Sequence, residues 1–278
     1  MNMEQNVLIN QLLFSTVRIE TQLENGISIG TAFIVLYESK NRQYLFLVTN
    51  KHVVQDSISG KFFFTKSDGS SPLIGQKFEI IVPNFEKEWF VHPNNNIDIA
   101  IMPLGSLLKR IEEQGQKVYY RAIPLSSILS KEQESNLTAL EEIIFIGYPS
   151  GIYDTTNLLP IIRKGITATP IQIDYEGKPL FLIDAAVFRG SSGSPVLIYN
   201  QGSYGTPKGL VIGTTRILFL GILSQVMIQE EKGTIDFVEI PTRKVPIVKT
   251  EQMLNLGLVI KARIIVETIK TFLLERVR

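Results

Sequence analysis

Cysteine is absent from this 278-residue sequence, and its absence excludes several kinds of site. No disulfide framework, zinc–thiolate site or cysteine nucleophile can form without it. Disulfides belong mainly to oxidising compartments, so a cysteine-free chain fits a bacterial or cytosolic protein, although exported proteins without cysteine also exist.

An excess of charge of one sign and long hydrophobic runs are lacking as well. The 28 Lys and Arg against 27 Asp and Glu give a formal net charge of +1, so we expect neither nucleic acid nor an anionic membrane as a partner. No stretch reaches the roughly 18 uninterrupted apolar residues of a membrane helix. Residues 1–11 have neither a basic start nor a sustained apolar core, so no signal peptide is predicted and the expected location is cytoplasmic.

Short apolar or alternating segments fill most of the chain, with Gly, Asn, Ser and Pro between them. Many short strands at regular spacing predict an all-β barrel or sandwich. Segment 111–140 is charged and poor in strand signals, which predicts a linker with helical turns. From about Ala262, apolar residues recur at helical spacing and predict a C-terminal helix. The predicted strands are 15–20, 29–36, 44–49, 61–66, 78–82, 97–102, 142–147, 161–166, 171–175, 179–183, 194–199, 218–226 and 235–240.

Ser192 lies in the most informative segment, Phe-Arg-Gly-Ser-Ser-Gly-Ser-Pro at 188–195. Glycine adopts left-handed or crowded backbone conformations at little cost, so such a loop can direct several N–H groups at one point. That point can bind an oxyanion, and a serine beside it is a candidate nucleophile. A lone serine between glycines is usually only a turn, so the hypothesis also needs a base and a group that orients the base.

Both groups are found upstream. His52 follows the apolar run 44–48, and Asp98 lies between an Asn-rich turn and another apolar run. The order His, Asp, Ser along the chain is that of the chymotrypsin-type triad. The alternatives are a structural role for His52 and an Asx turn for Asp98. His92, the other histidine, precedes a proline and is interpreted as a loop residue.

These motifs resemble those of bacterial trypsin-like serine peptidases, and the chain is similar to the HtrA/Deg protease domain. Weaker likenesses at 30–35, 146–151 and 163–166 extend the match from about Gly30 to Ser224. The three motifs that carry the resemblance are Thr49-x-x-His52-Val53, Asp98-Ile99-Ala100 and Gly190-x-Ser192-Gly193-x-Pro195.

The resemblance implies a chymotrypsin-like fold of two six-stranded antiparallel β-barrels with a C-terminal α-helix that packs on the second barrel. We accordingly expect a first barrel at 1–110 carrying His52 and Asp98, and a linker at 111–140. A second barrel at 141–250 would carry Ser192, and a helical segment would follow at 251–278.

The resemblance also implies a serine endopeptidase that needs no metal or organic cofactor. Ser192 would attack the peptide carbonyl, His52 would act as the base, and Asp98 would orient His52. The backbone N–H groups of Gly190 and Ser192 would form the oxyanion hole.

Three further positions are assigned to substrate binding by the same resemblance. Ala186 would form the base of the first specificity pocket, where an acid would be needed to accept Lys or Arg. Ser224 matches the serine that supports the triad, and the branched side chain of Val226 would make the pocket shallow. Cleavage after a small or medium aliphatic residue is therefore expected.

Ser191 replaces the acid that in animal trypsins pairs with a newly cut N-terminus, so activation by that ion pair is not expected. Restraint by a disordered active-site loop, relieved by a protein partner or substrate, is the hypothesis that follows. A PDZ-like module after the second barrel is likewise not expected. Two alternatives stay open: a catalytically silent or latent trypsin-fold binding module, and a protease dedicated to one partner in a signalling or defence assembly.

Overall fold

The computed structural model describes residues 8–39, 42–188, 190–231 and 250–276. The first half contains α1 (Leu8–Leu12), β1 (Thr16–Leu23), β2 (Gly26–Ser39), β3 (Arg42–Thr49), α2 (Lys51–Val54), β4 (Ser59–Ser67), β5 (Pro72–Pro83), β6 (Phe90–Val91), β7 (Ala100–Pro103), α3 (Leu104–Glu113), β8 (Val118–Tyr119) and β9 (Ile123–Pro124). The second half contains α4 (Lys131–Ser135), β10 (Glu142–Gly147), β11 (Ile161–Thr167), β12 (Leu180–Asp184), β13 (Pro195–Asn200), β14 (Ser203–Thr206), β15 (Gly209–Ile212), β16 (Arg216–Glu231), β17 (Thr250–Lys261) and α5 (Ala262–Arg276).

The first half is one nine-stranded sheet with the strand order β5-β4-β1-β2-β3-β7-β6, to which β8 and β9 add at β4 and β2. Side chains alternate across its strands, so that Phe62 and Phe64 of β4 are buried with Phe85 and Trp89 in one core cluster. The recorded pairings form an open path, and the predicted closed first barrel is therefore not confirmed.

The second half contains a closed antiparallel barrel with the order β10-β11-β12-β17-β16-β13, which confirms one of the two predicted six-stranded barrels. Strand β17 closes it by pairing with both β12 and β16. Assigning all of 251–278 to a helical segment was therefore wrong, because the helix begins only at Ala262.

Several other sequence predictions need adjustment. The predicted strand at 171–175 is absent, since the chain turns there and enters a 3₁₀-helix at Tyr175–Gly177. The predicted linker at 111–140 contains short strands and a helix, which are β8, β9 and α4. The predicted strand at 235–240 lies outside the described residues.

Helix α5 joins the two halves rather than packing on the second barrel alone. The ring of Phe272 packs edge-on against Phe46 of β3 and Phe90 of β6, with centroid distances of 5.6 and 5.5 Å. Phe33 of the first half likewise packs on Phe219 of the second. One shared core therefore fixes the two halves against each other. Across the described ranges, no helix is both long and apolar enough to cross a membrane.

Candidate active site

Strand pairing explains why His52 and Asp98 meet. β3 ends at Thr49 and leads directly into α2, whose second residue is His52. Thr49 is paired with Ala100, the first residue of the neighbouring strand β7, so Asp98 just upstream of β7 lies beside the start of α2. The two residues are distant in sequence and close in space because their strands are adjacent in the sheet.

The Asp98 carboxylate binds His52 at two points. Oδ2 lies 2.7 Å from the ring nitrogen Nδ1, and Oδ1 accepts the backbone N–H of His52 at 3.0 Å. The Asn50 amide also donates to the Asp98 backbone carbonyl at 2.9 Å. An ionised carboxylate can only accept, so in the neutral imidazole this contact places the proton on Nδ1 and leaves the lone pair on Nε2. The imidazole is therefore held in a fixed orientation as a base.

Ser192 and Ser224 complete this constellation from the second half. Ser224 Oγ donates to Asp98 Oδ2 at 2.6 Å, and Ser192 Oγ donates to the Ser224 backbone carbonyl at 3.1 Å. Within the described residues, no hydrogen bond joins Ser192 to His52. The structure thus brings together the side chains of His52, Asp98, Ser192 and Ser224. The Ser192 hydroxyl is directed at the Ser224 carbonyl.

Three backbone N–H groups of the serine loop, residues 188–195, already have acceptors. Those of Ser191, Gly193 and Ser194 donate to the carbonyls of Phe188, Leu223 and Ser191, at 3.0, 2.9 and 3.1 Å. For the N–H groups of Gly190 and Ser192, the described part of the chain offers no acceptor. Two donors in one tight loop are therefore available to an external acceptor.

The sequence model of the trypsin-like peptidase domain matches residues 30–204. This chain belongs to the trypsin-like peptidase family. The matched range contains all three residues of the predicted triad, and membership makes the protein a serine endopeptidase. No curated protein matches the sequence.

Solved structures share the fold of this peptidase at low sequence identity. The HtrA-type protease AlgW with a tripeptide gives TM-scores of 0.51 and 0.50 in two structures, at 14% and 15% identity, over 97% and 95% of this chain. These matches cover 63% and 61% of AlgW, so the peptidase spans less than two thirds of that chain. The active form of the Rv3671c protease from M. tuberculosis is 17% identical, with a TM-score of 0.46 over 96% of this chain and 84% of the other. At these identities, the AlgW likeness shows the fold alone.

The predicted specificity residues of the peptidase are placed as follows. Ala186 is exposed on the segment after β12, and Val226 lies on β16, opposite Gly257 of β17. Their roles in substrate binding stay predictions. A cleft of about 800 Å³ adjoins His52 on the first half and is lined by three acidic residues. These are Glu24, Asp56 and Glu86.

His92 is buried in the peptidase and lies apart from the proposed base. Its backbone N–H donates to the Ile99 carbonyl at 3.0 Å, and its ring Nδ1 accepts the Asn94 N–H at 3.1 Å. It therefore supports the segment that leads to Asp98.

Among the residues that the structure describes, no group of three or more His, Asp or Glu side chains could hold a metal ion.

Sequence reasoning missed Thr31, which is fully buried and contacts the serine loop. In the sequence it is only one residue of the segment 30–35, which carries a weaker likeness to the family. Threonine is common in strands because its branched side chain packs well there, so its residue type carries no special signal. Only the tertiary contacts distinguish it from other strand threonines.

Proposed function

We propose that this peptidase hydrolyses peptide bonds of protein substrates with Ser192 as nucleophile, His52 as general base and Asp98 as the residue that orients the base. One observation carries the proposal. The Asp98 carboxylate accepts from both the His52 ring and the Ser224 hydroxyl, while the Ser224 carbonyl accepts from Ser192. The three predicted residues thus belong to one hydrogen-bonded chain.

The proposed first step begins with a rotation of the half-buried Ser192 side chain about its Cα–Cβ bond. This rotation would release the hydroxyl from the Ser224 carbonyl and direct it towards His52. His52 Nε2 then takes the proton as Oγ attacks the peptide carbonyl. The resulting imidazolium is stabilised by Asp98 and protonates the leaving amine, after which water hydrolyses the acyl-enzyme.

The N–H groups of Gly190 and Ser192 would bind the oxyanion of the tetrahedral intermediate. Their lack of an acceptor among the described residues supports this role, because the N–H groups of Ser191, Gly193 and Ser194 are occupied. Losing one such donor lowers kcat by about 10²–10³.

Small or medium aliphatic side chains are the proposed residues before the cleaved bond. The support is chemical: Ala186 offers no carboxylate to a basic side chain, and Val226 is branched. The cleft beside His52 offers room for further substrate residues.

A latent, partner-regulated form of the same site is the second candidate. The hydroxyl of Ser192 donates to the Ser224 carbonyl instead of the base, which favours a resting state. Ser191, whose buried hydroxyl has no hydrogen-bond partner in the described part of the chain, cannot form an ion pair with a cleaved N-terminus. Activation would then depend on a substrate or a protein partner.

Labelling with a fluorophosphonate probe tests the proposal. The wild type should be modified at Ser192, identified by peptide mapping, while Ser192→Ala and His52→Ala should not react. Ser191→Ala is the matched control, because it removes the neighbouring hydroxyl and should leave labelling intact. Modification at another residue, or equal labelling of His52→Ala, would overturn the triad assignment. An unlabelled wild type would favour the latent form.

A further inference from the structure

Thr31 lies on β2 in the first half, and its backbone N–H and carbonyl bind the two segments that carry Ser192 and His52. Its backbone N–H donates to the Ser192 carbonyl at 3.1 Å, across the boundary between the halves. Its backbone carbonyl accepts the Thr49 hydroxyl at 2.7 Å, from the last residue of the strand that leads to His52. The backbone of Thr31 thus connects the strand of the base to the residue of the nucleophile.

The Thr31 side chain makes two more bonds of this kind. Its hydroxyl donates to the Gly190 carbonyl at 3.3 Å and accepts the Tyr148 N–H at 3.1 Å. Gly193 packs so closely on the Thr31 carbonyl that a Cβ there would overlap it. One buried residue therefore contacts the serine loop at three positions.

These contacts act on the peptide groups next to the Gly190 and Ser192 N–H groups, for which the described residues offer no acceptor. The Gly190–Ser191 peptide is held at both ends, by the Thr31 hydroxyl on its carbonyl and by the Phe188 carbonyl on its N–H. The Ser192–Gly193 peptide is held likewise, by the Thr31 N–H and the Leu223 carbonyl. A peptide group is planar and moves as one unit. Fixing the Gly190–Ser191 and Ser192–Gly193 peptides therefore restricts the rotation of the neighbouring peptide groups, which carry the N–H groups of Gly190 and Ser192.

We infer that Thr31 is a positioning residue that sets the direction of the Gly190 and Ser192 N–H groups. The inference rests on the proposed serine-peptidase site. Thr31 does not touch substrate itself and acts through the loop. Its hydroxyl also links the loop to Tyr148, so that the segment after β10 and the oxyanion donors share one anchor.

A matched control exists in the second barrel. Thr167 is equally buried, and its hydroxyl also makes two bonds, accepting the Glu141 N–H and donating to the Ala139 carbonyl, both at 2.8 Å. Its bonds do not involve the serine loop. Thr31→Val and Thr167→Val remove the same hydroxyl from a similar environment, while Thr31→Ser keeps the hydroxyl of Thr31.

The test compares two readouts in the full chain. Thr31→Val should lower the second-order rate of fluorophosphonate labelling about tenfold, because two buried polar groups lose their partner. It should also speed amide hydrogen exchange of the peptide 188–195. Thr31→Ser should restore both values, and Thr167→Val should leave both as in the wild type while lowering Tm to a similar extent.

Equal labelling and exchange in Thr31→Val and Thr167→Val would overturn the inference. Faster exchange with an unchanged labelling rate would also overturn it, because Thr31 would then have a structural role only. If the wild type is not labelled, the proposed activity of the resting protein fails on its own. Hydrogen exchange, which needs no turnover, then decides whether Thr31 holds the loop.

Discussion

The hydroxyl of Ser224 donates a hydrogen bond of 2.6 Å to Asp98 Oδ2, across the boundary between the two halves of the molecule. The same oxygen lies 2.7 Å from Nδ1 of His52. The orientation of the carboxylate therefore depends on contributions from both halves. A hydrogen bond to a charged group is about twice as strong as one between neutral groups, so this link matters for the base.

Ser224→Ala should lower kcat about tenfold, because Asp98 loses one charge-assisted bond and keeps its two bonds to His52. Steady-state kinetics on a peptide substrate measures this, and Asp98→Asn should show a far larger loss, on the order of 10⁴. Ser15→Ala is the control, since it removes a buried hydroxyl that donates only to the Leu12 carbonyl. Ser224→Ala with unchanged kcat would contradict a role for this bond.

Gly193→Ala should reduce fluorophosphonate labelling by about 10² or more. Gly193 has φ +86°, and an added Cβ would overlap the Thr31 carbonyl, so the loop that carries Ser192 must move. A shift of about 1 Å in a reacting group can cost such a factor.

Gly202→Ala is the control that separates the effect of backbone strain from the effect of steric overlap with the Thr31 carbonyl. Gly202 has φ +82°, and an added Cβ would meet nothing within 4 Å. Both variants carry a left-handed penalty of about 1–2 kcal/mol, but only Gly193→Ala should lose labelling. Equal labelling in the two variants would show that the Thr31 contact does not constrain the loop.

The residues proposed for the candidate site could be recognised from the sequence, whereas some of the strands around them could not. His52, Asp98 and Ser192 are recognisable because the chemistry restricts the residue types around each of them. Strand β17 was missed because its pairing with β12 and β16 is made by residues remote in sequence. Local periodicity cannot report such contacts.

Thr31 and α5 show the same limit at the level of side chains. The spacing of apolar residues predicts a helix near Phe272, but it cannot tell that the ring packs between β3 and β6 of the other half. The bonds that Thr31 makes to Gly190 and Tyr148 bring together segments that are far apart in the chain. Interactions of this kind become visible only when the two halves are packed together.

Asp174 links the segment before β12 to the start of α5. Its carboxylate binds Lys261 Nζ at 2.6 Å and the Arg263 guanidinium at 2.7 and 2.6 Å. The hydrogen-bonded Arg263 guanidinium contributes most to holding the pKa of Asp174 below its usual value of 3.8. Burial of the carboxyl opposes this shift, and the hydrogen bond from Lys261 adds a smaller lowering effect. A carboxyl whose pKa is depressed in the folded state stabilises the fold above its unfolded pKa, and this contribution is lost as pH falls through the folded pKa.

Asp174→Asn should therefore lower the free energy of unfolding near neutral pH by about 1 kcal/mol, a modest value because the Asp174 side chain is 36% exposed and screened by solvent. Urea denaturation from about pH 7 to about pH 3 should show the difference shrinking as the wild-type carboxyl takes up its proton. Glu142→Gln is the control, since its ion pair with Lys164 is exposed on both sides and should contribute little at any pH. A difference that stays constant over this range would mean that Asp174 stabilises the fold through its shape and neutral hydrogen bonds, not through its charge.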